Sequence, residues 1–497
     1  MALLTLAQGP ELGTIQFPTS GSPAAQPSFL TGVKALHNFE FDEARDAFLH
    51  AQKLDPTFAL AYWGEAMSHN HPLWAEQDLK AARTALEHLA PTPAARALKA
   101  PEGKERGLIE AVDVLYGGDG DKLARDVAYS LAMERLHERY PRDHELSCLY
   151  ALSLLGTVRP GNRGFRRQML AASIAEDVFH ENPNHPAAAH FIIHAFDDPD
   201  HAPLGLAAAR AYAKIAPAAP HALHMPSHIF VQLGMWDDVV ASNKMAYAAS
   251  AAQIERKHLA RGREDFHTLS WLEYGYLQLG KYDEAKACVE LARKTAAADA
   301  SDRVQQGFAG MQARYIVETE RWKELPPLET GSTQAGAASG AHGGHAYGGN
   351  SSATLAAGLA AAKLGDLSAA ARAQAALEAE RERIASSDGG TYAAKPVSIM
   401  EKEVAAAIAA VKGDAAQAER LLKEATAIEL TLDPPSGPPE PLKPSFEMYG
   451  EWLLDAHRPK DAAAQFEQTL LRMPKRARAL QGLSRATGAP RDTTPAR

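Results

Sequence analysis

The chain has 497 residues, 46% of them hydrophobic and 23% charged, with a formal net charge of -9 and a sequence pI near 6.1. That balance excludes wholesale disorder and a coiled-coil rod, and it argues against a general nucleic-acid or anionic-membrane binder. Two cysteines, Cys148 and Cys288, exclude a disulfide scaffold, an iron–sulfur cluster and a cysteine-built zinc site, whereas 20 histidines stand out.

The length predicts several compact domains or one long repeat array. The opening residues, Met1 to Gln8, read like the tail of a secretory apolar region without its basic start. Two expectations follow: a cytoplasmic protein with a flexible segment over 1–27, or a periplasmic or secreted one whose export signal was trimmed. No apolar run reaches the roughly 18 residues of a membrane span, so none is expected.

Taken along the chain, one helical pattern recurs. It reads Phe41-x2-Ala44-x3-Phe48-x2-Ala51-x4-Pro56, then a helix through Phe179 that ends before Pro183, then Gly234-Met-Trp236-x2-Val239. It returns as Gly280-Lys-Tyr282-x2-Ala285-x3-Val289-x2-Ala292, near Trp322, and as Gly365-Asp-Leu367-x2-Ala370. Gly413-Asp-Ala415-x2-Ala418-x3-Leu422-x2-Ala425 and Ala462-x3-Phe466-x2-Thr469-x4-Pro474 close the series. Small residues let paired helices approach, an aromatic fills the gap to the next pair, and proline follows where a helix cannot continue.

This recurrence resembles the tetratricopeptide repeat (TPR), a helix–turn–helix unit of about 34 residues, over about 28–325 and 350–487. The fold class expected is all-α, a TPR-like α-solenoid in two lobes. The N-terminal lobe is expected at 28–329 and the C-terminal lobe at 353–487. A Gly/Ala/Ser/His tract at 330–352, with His342 and His345, separates them as a loop. Residues 90–107 and the turn Gly117 to Gly120 interrupt the first lobe, and a proline-rich connection at 433–444 precedes the last repeat. The tail, 488–497, is expected to be disordered.

Eight of the 20 histidines lie between His180 and His228. His190 and His194 stand four apart, and His221, His224 and His228 follow three- and four-residue spacings, so each set falls on one helix face. If Pro226 instead starts the second helix, His221 and His224 sit on a preceding turn. The TPR resemblance implies that these histidines, with Asp197, Asp198, His267, Ser270 and Tyr274, occupy the helix positions lining the concave groove. It places Trp63, Met67, Asn70 and His71 there too, in a polar-aromatic cluster with Glu65, His69 and Trp74. That cluster reads more simply as helix packing followed by a turn. Arg314, Glu403, Glu447 and Glu451 also fall on groove positions, and the two last are read as a solvated face.

Pairs of histidines on adjacent helices are one way to build a metal site from helical parts. The expected ligands are His190, His194, His224, His228 and His221, with Asp198, Asp197, His267 and His71 in support. Imidazole ligands suit zinc, copper or iron rather than magnesium or calcium. No HExxH, GxSxG, Walker A or CxxCH motif occurs, so no familiar catalytic frame is available. The runs at 197–203 and 221–230 also resemble a broad group of bacterial TPR proteins, a likeness that names no reaction. Two functions remain open: a metal-binding TPR protein, with or without enzyme activity on a small molecule in the groove, or a metal-free scaffold for a peptide or protein. A purely architectural solenoid leaves the histidines unexplained. No reading fixes the oligomeric state.

Overall fold

The computed structural model describes residues 12–118, 120–162, 164–259, 265–325, 349–387 and 390–488. It is all-α and TPR-like; the strand content of the described residues is a short antiparallel ribbon, Asn70–His71 against Glu76–Gln77. Each helix packs chiefly against its sequence neighbours, and some also against the next but one, as Phe266–Gln278 does against Asp302–Thr319. That is the contact pattern of stacked helical hairpins.

The packing explains the recurring sequence pattern. Phe48 is fully buried and sits in a notch between Gly32 and Gly64, where an added Cβ would come within 2.7 Å and 2.3 Å of its ring. Phe466 repeats the device between Gly450 and Gly482, at 2.8 Å and 2.3 Å. An aromatic on one helix thus locks two glycine-bearing helices on either side of it. The hairpin turns at Gly234, Gly280, Gly365 and Gly413 take positive φ, 62, 70, 85 and 81°. Aspartates cap several of the following helices; Asp366 accepts the Ala369 N–H and Asp414 that of Gln417.

Contacts divide the chain into two compact units, Met1–Asp197 with His201–Ile229, and Asp198–Asp200 with Phe230–Arg497. This division falls near Ile229. Residues 330–348 of the Gly/Ala/Ser/His tract, including His342 and His345, lie outside the described residues, and the helix Gly349–Lys363 begins within its end. Of the expected tail, Gly488 alone is described.

In the first unit, the segment expected to be flexible over 1–27 is packed from Leu12 onward. Phe17 is buried against Phe29, and Asn38 Nδ2 donates to the Leu12 carbonyl. Leu12 and Phe17 bring apolar surface that the first helix pair covers. Residues 1–11 are outside the described set.

In the second unit, three larger apolar clusters follow one another along the array. The first is built on Phe266, Leu272 and Tyr315, the second on Leu355, Met400 and Leu442, the third on Leu453, Phe466 and Ala479. The proline-rich connection 433–444 packs into this unit: Gly437 lies against the Trp271 ring, and Leu442 enters the second cluster. Among the described residues no helix is long and apolar enough to cross a membrane.

Candidate metal centre

The helix Pro186–Ala195 starts from a His185 cap with proline in its first turn, and of its ten residues His194 alone is not buried. An apolar helix wrapped on nearly all sides carries His190 into the interior, where it is 0% exposed. The Nδ1–H of His190 donates to the carbonyl oxygen of His37 at 2.7 Å. His37 ends the helix Gln26–His37, so its carbonyl is one of those a helix end leaves over. A carbonyl only accepts, so the proton is on Nδ1 and the lone pair of neutral His190 is on Nε2.

That Nε2 faces two others. His194 Nε2 is 3.0 Å away and His221 Nε2 is 3.1 Å away. The ligand atoms of the three histidines all lie within 4.8 Å of one another. Burial holds His190 at a pKa of about 3, and burial followed by the neighbouring imidazoles pushes His194 and His221 well below the ordinary histidine value. The three rings are therefore neutral at pH 7, the form that ligates metals.

The second histidine run is not one helix. Pro220–His224 and Pro226–Gln232 are separate, with Met225 between them, as Pro226 dictates. His221 and His224 stand on the first and His228 on the second. The break does not scatter them: His221 joins His190 and His194, while His224 and His228 face each other with 3.2 Å between their Nε2 atoms. Asp197 Oδ2 accepts the Nδ1–H of His228 at 2.6 Å, which turns the Nε2 of His228 toward His224.

Of the two aspartates expected to support the histidines, Asp197 is hydrogen-bonded to His228. Asp198 belongs to the second unit and accepts the Asp200 backbone N–H in a local turn. His267 is on Phe266–Gln278, also in the second unit, with its ring 5.5 Å from that of Trp271. His71 sits on the short ribbon, 4.1 Å from the Phe41 ring and 6.1 Å from the Trp74 ring. It belongs to an aromatic wall rather than to the imidazole cluster, and Trp74 continues that wall to 6.4 Å from His221.

Several participants have no signature in the histidine spacing. Phe39 occupies a hairpin turn at φ 57°, the conformation for which other repeats use glycine. Its ring covers the cluster, 4.3 Å from His190, 5.4 Å from His221 and 5.8 Å from His194. Aligning the turns finds it: Asn38-Phe39-Glu40 stands where later repeats read Gly-Met, Gly-Lys and Gly-Asp. Tyr212 stacks on His190 at 5.1 Å and donates its hydroxyl proton to Asn38. Behind His37, a fully buried Glu145 receives His37 Nε2 at 2.6 Å and His185 Nε2 at 3.1 Å. Burial alone would raise this carboxyl; the two imidazoles overcome it and hold it at about 2.

The groove candidates of the second unit form a different structure. Arg314 donates to Ser270 Oγ at 2.6 Å and to Glu273 at 3.2 Å. Glu447, expected on a solvated face, is fully buried and bonded to Lys443 and Arg476, while Glu451 takes Lys443 and Arg478. The C-terminal arginines add to the compensating charge that Lys443 supplies locally.

No protein-family model matches the sequence, and no curated protein matches it. Solved structures similar to it include human IFIT1, as a dimer with m7Gppp-AAAA, at 12% identity and a TM-score of 0.39, covering 94% of this chain and 87% of that one. Yeast Tom70 follows at 11% and 0.34, covering 94% and 88%, and the TPR domain of P58(IPK) at 12% and 0.24, covering 93% and 97%. At these TM-scores the likeness adds nothing to the helix pairs and aromatic notches described above.

Proposed function

We propose that the first unit is a TPR-like scaffold for a transition metal ion, held by the Nε2 atoms of His190, His194 and His221, and that a small molecule reaches the ion on its open side. The observation that carries the reading is the meeting of three neutral imidazoles around one lone pair. His190 Nε2 has no proton to give and accepts one good hydrogen bond; two Nε2 atoms approach it at 3.0 and 3.1 Å. A cation satisfies all three nitrogens at once, whereas protons leave one contact repulsive. Two metal–imidazole bonds of about 2.0–2.1 Å at a tetrahedral angle put the nitrogens about 3.4 Å apart, close to these separations.

The donor set suits zinc, copper or iron. Three protein ligands leave a coordination position for an exogenous molecule, the arrangement of reactive rather than structural sites. The aromatic wall of Phe39, Phe41 and Trp74 makes the surroundings apolar, which strengthens electrostatic effects at the ion. Elemental analysis of untagged protein, before and after chelator treatment and reloading, tests the reading. Metal in whole-number ratio to chain, with one ion fewer per chain in His194→Ala, is the expected result. Protein that stays metal-free under every loading condition refutes it and leaves the peptide-scaffold reading.

A further inference from the structure

The Nε2 atoms of His190, His194 and His221 account for three of the five clustered histidines. His224 and His228 face each other. Their Nε2 atoms are 3.2 Å apart, the separation expected of two ligands on one ion, and their rings meet at 82°. Both are buried, 2% and 6% exposed. The pair is also oriented from behind: Asp197 fixes the His228 ring through Nδ1, and Ser227 Oγ lies 3.5 Å from His224 Nδ1. A carboxylate on the far nitrogen of an imidazole is the usual partner of a ligating histidine, since it sets the tautomer and raises ligand basicity.

An imidazole-rich ion site holds about four ligands, so five histidines exceed what one ion needs. The two sets adjoin, with the His194 and His228 rings 6.0 Å apart and those of His221 and His224 6.4 Å apart. Within the helix Pro220–His224, His221 turns to His190, whereas His224 turns to His228 across the Met225 break. We infer that His224 and His228 hold a second transition-metal ion beside the one proposed at His190, His194 and His221, making a two-ion centre with room for a small oxygen-donor ligand between the ions. Paired ions in proteins lie about 3.5–4 Å apart and clamp such a ligand from both sides. This inference rests on the metal reading above.

The test is stoichiometry on the full-length, untagged, chelator-stripped chain loaded with copper(II) or zinc(II) and freed of excess. The wild type binds two ions per chain, and His224→Ala/His228→Ala binds one. Asp197→Asn weakens the second ion about 10- to 100-fold and spares the first. Loaded with copper(II), the wild type shows a paramagnetic resonance signal well below its total copper because adjacent ions couple, and the double variant regains full intensity. Saturation of the wild type at one ion, or equal copper and full signal in wild type and double variant, overturns the second site while leaving the first. No bound ion at all overturns the metal reading itself. If the double variant does not fold, as judged by circular dichroism, the wild-type count and Asp197→Asn decide the question.

Discussion

His190 donates its Nδ1–H to the carbonyl of His37 at 2.7 Å, and that one bond both closes a helix end and aims a lone pair at two other histidines. Structural and ligand roles are therefore joined in His190 and separable in His194, which is half-buried and lies outside the packed face of its helix. His190→Ala is expected to cost about 2–4 kcal/mol, from the cavity it leaves and the orphaned carbonyl. His194→Ala should cost about 1 kcal/mol or less and still lose the ion proposed at His190, His194 and His221. Urea unfolding of the two variants, paired with elemental analysis, checks this; equal destabilisation would show that His194 is a packing residue too.

Phe39 is held at φ 57° with a buried ring over the imidazoles. A side chain in the left-handed region costs roughly 1–2 kcal/mol, a strain that glycine escapes. Phe39→Ala loses the ring and keeps the strain; Phe39→Gly loses the ring and the strain. Phe39→Gly should therefore be the more stable of the two by about 1 kcal/mol, the reverse of the usual Ala-over-Gly order. Both should release metal to a chelator faster than wild type. Thermal unfolding and chelator-exchange rates read the two effects separately.

How much of this was legible follows from how local each signal is. Phe48 and Phe466 announce the repeats because the glycines they need, such as Gly32 and Gly450, lie one helix away. His190 and His194 share a face because one short helix carries both. Which histidines meet is less legible: His221 and His224 share the short helix Pro220–His224 yet turn to different partners, and helical spacing treats them alike. Asp197 and Asp198 are adjacent in sequence, yet one orients His228 and the other closes a turn, a choice made by chain direction at a helix end. Local spacing puts Glu447 on a solvated face because Arg476, which helps neutralise it, lies 29 residues on, and Glu318, which joins them, lies far upstream. Periodicity carries no information about such pairings.

Acid should destabilise the metal-free protein well before ordinary carboxylates titrate. His190 is held at about 3 when folded, against about 6.5 in the unfolded chain. Between those values the unfolded state binds a proton that the folded state refuses, so stability falls as pH falls, by about 1.4 kcal/mol per pH unit once well below 6.5. Burial and the neighbouring imidazoles shift His194 and His221 in the same direction. Urea midpoints from pH 8 to pH 5 should drop in the metal-free protein, and His190→Gln should flatten the profile. An unchanged slope in that variant would mean that His190 is not buried in its neutral form.

Arg476 carries the second unit's clearest prediction. Its fully buried guanidinium reaches Glu447 Oε2 at 2.7 Å, Glu318 Oε1 at 2.7 Å and the Tyr274 hydroxyl at 3.3 Å. Burial alone would drive the Glu447 carboxyl up, but Arg476 and Lys443 overcome that and hold it well below the ordinary carboxylate value. Replacing the ion pair by apolar groups of matched shape is often neutral; removing one partner is not, because the others keep their charge without compensation. Arg476→Ala should therefore destabilise the second unit by about 3–5 kcal/mol. Arg476→Lys should be intermediate, since an ammonium cannot span two carboxylates with a planar fork. Because Glu318 and Glu447 sit on different repeats, loss of the fork should also uncouple them. Hydrogen exchange is the discriminating measurement: in Arg476→Lys, amides of Ser445–Asp455 should exchange faster while those of Phe266–Gln278 change less. A uniform rise across both helices would mean that Arg476 supports the unit through bulk packing and not as a clamp between repeats.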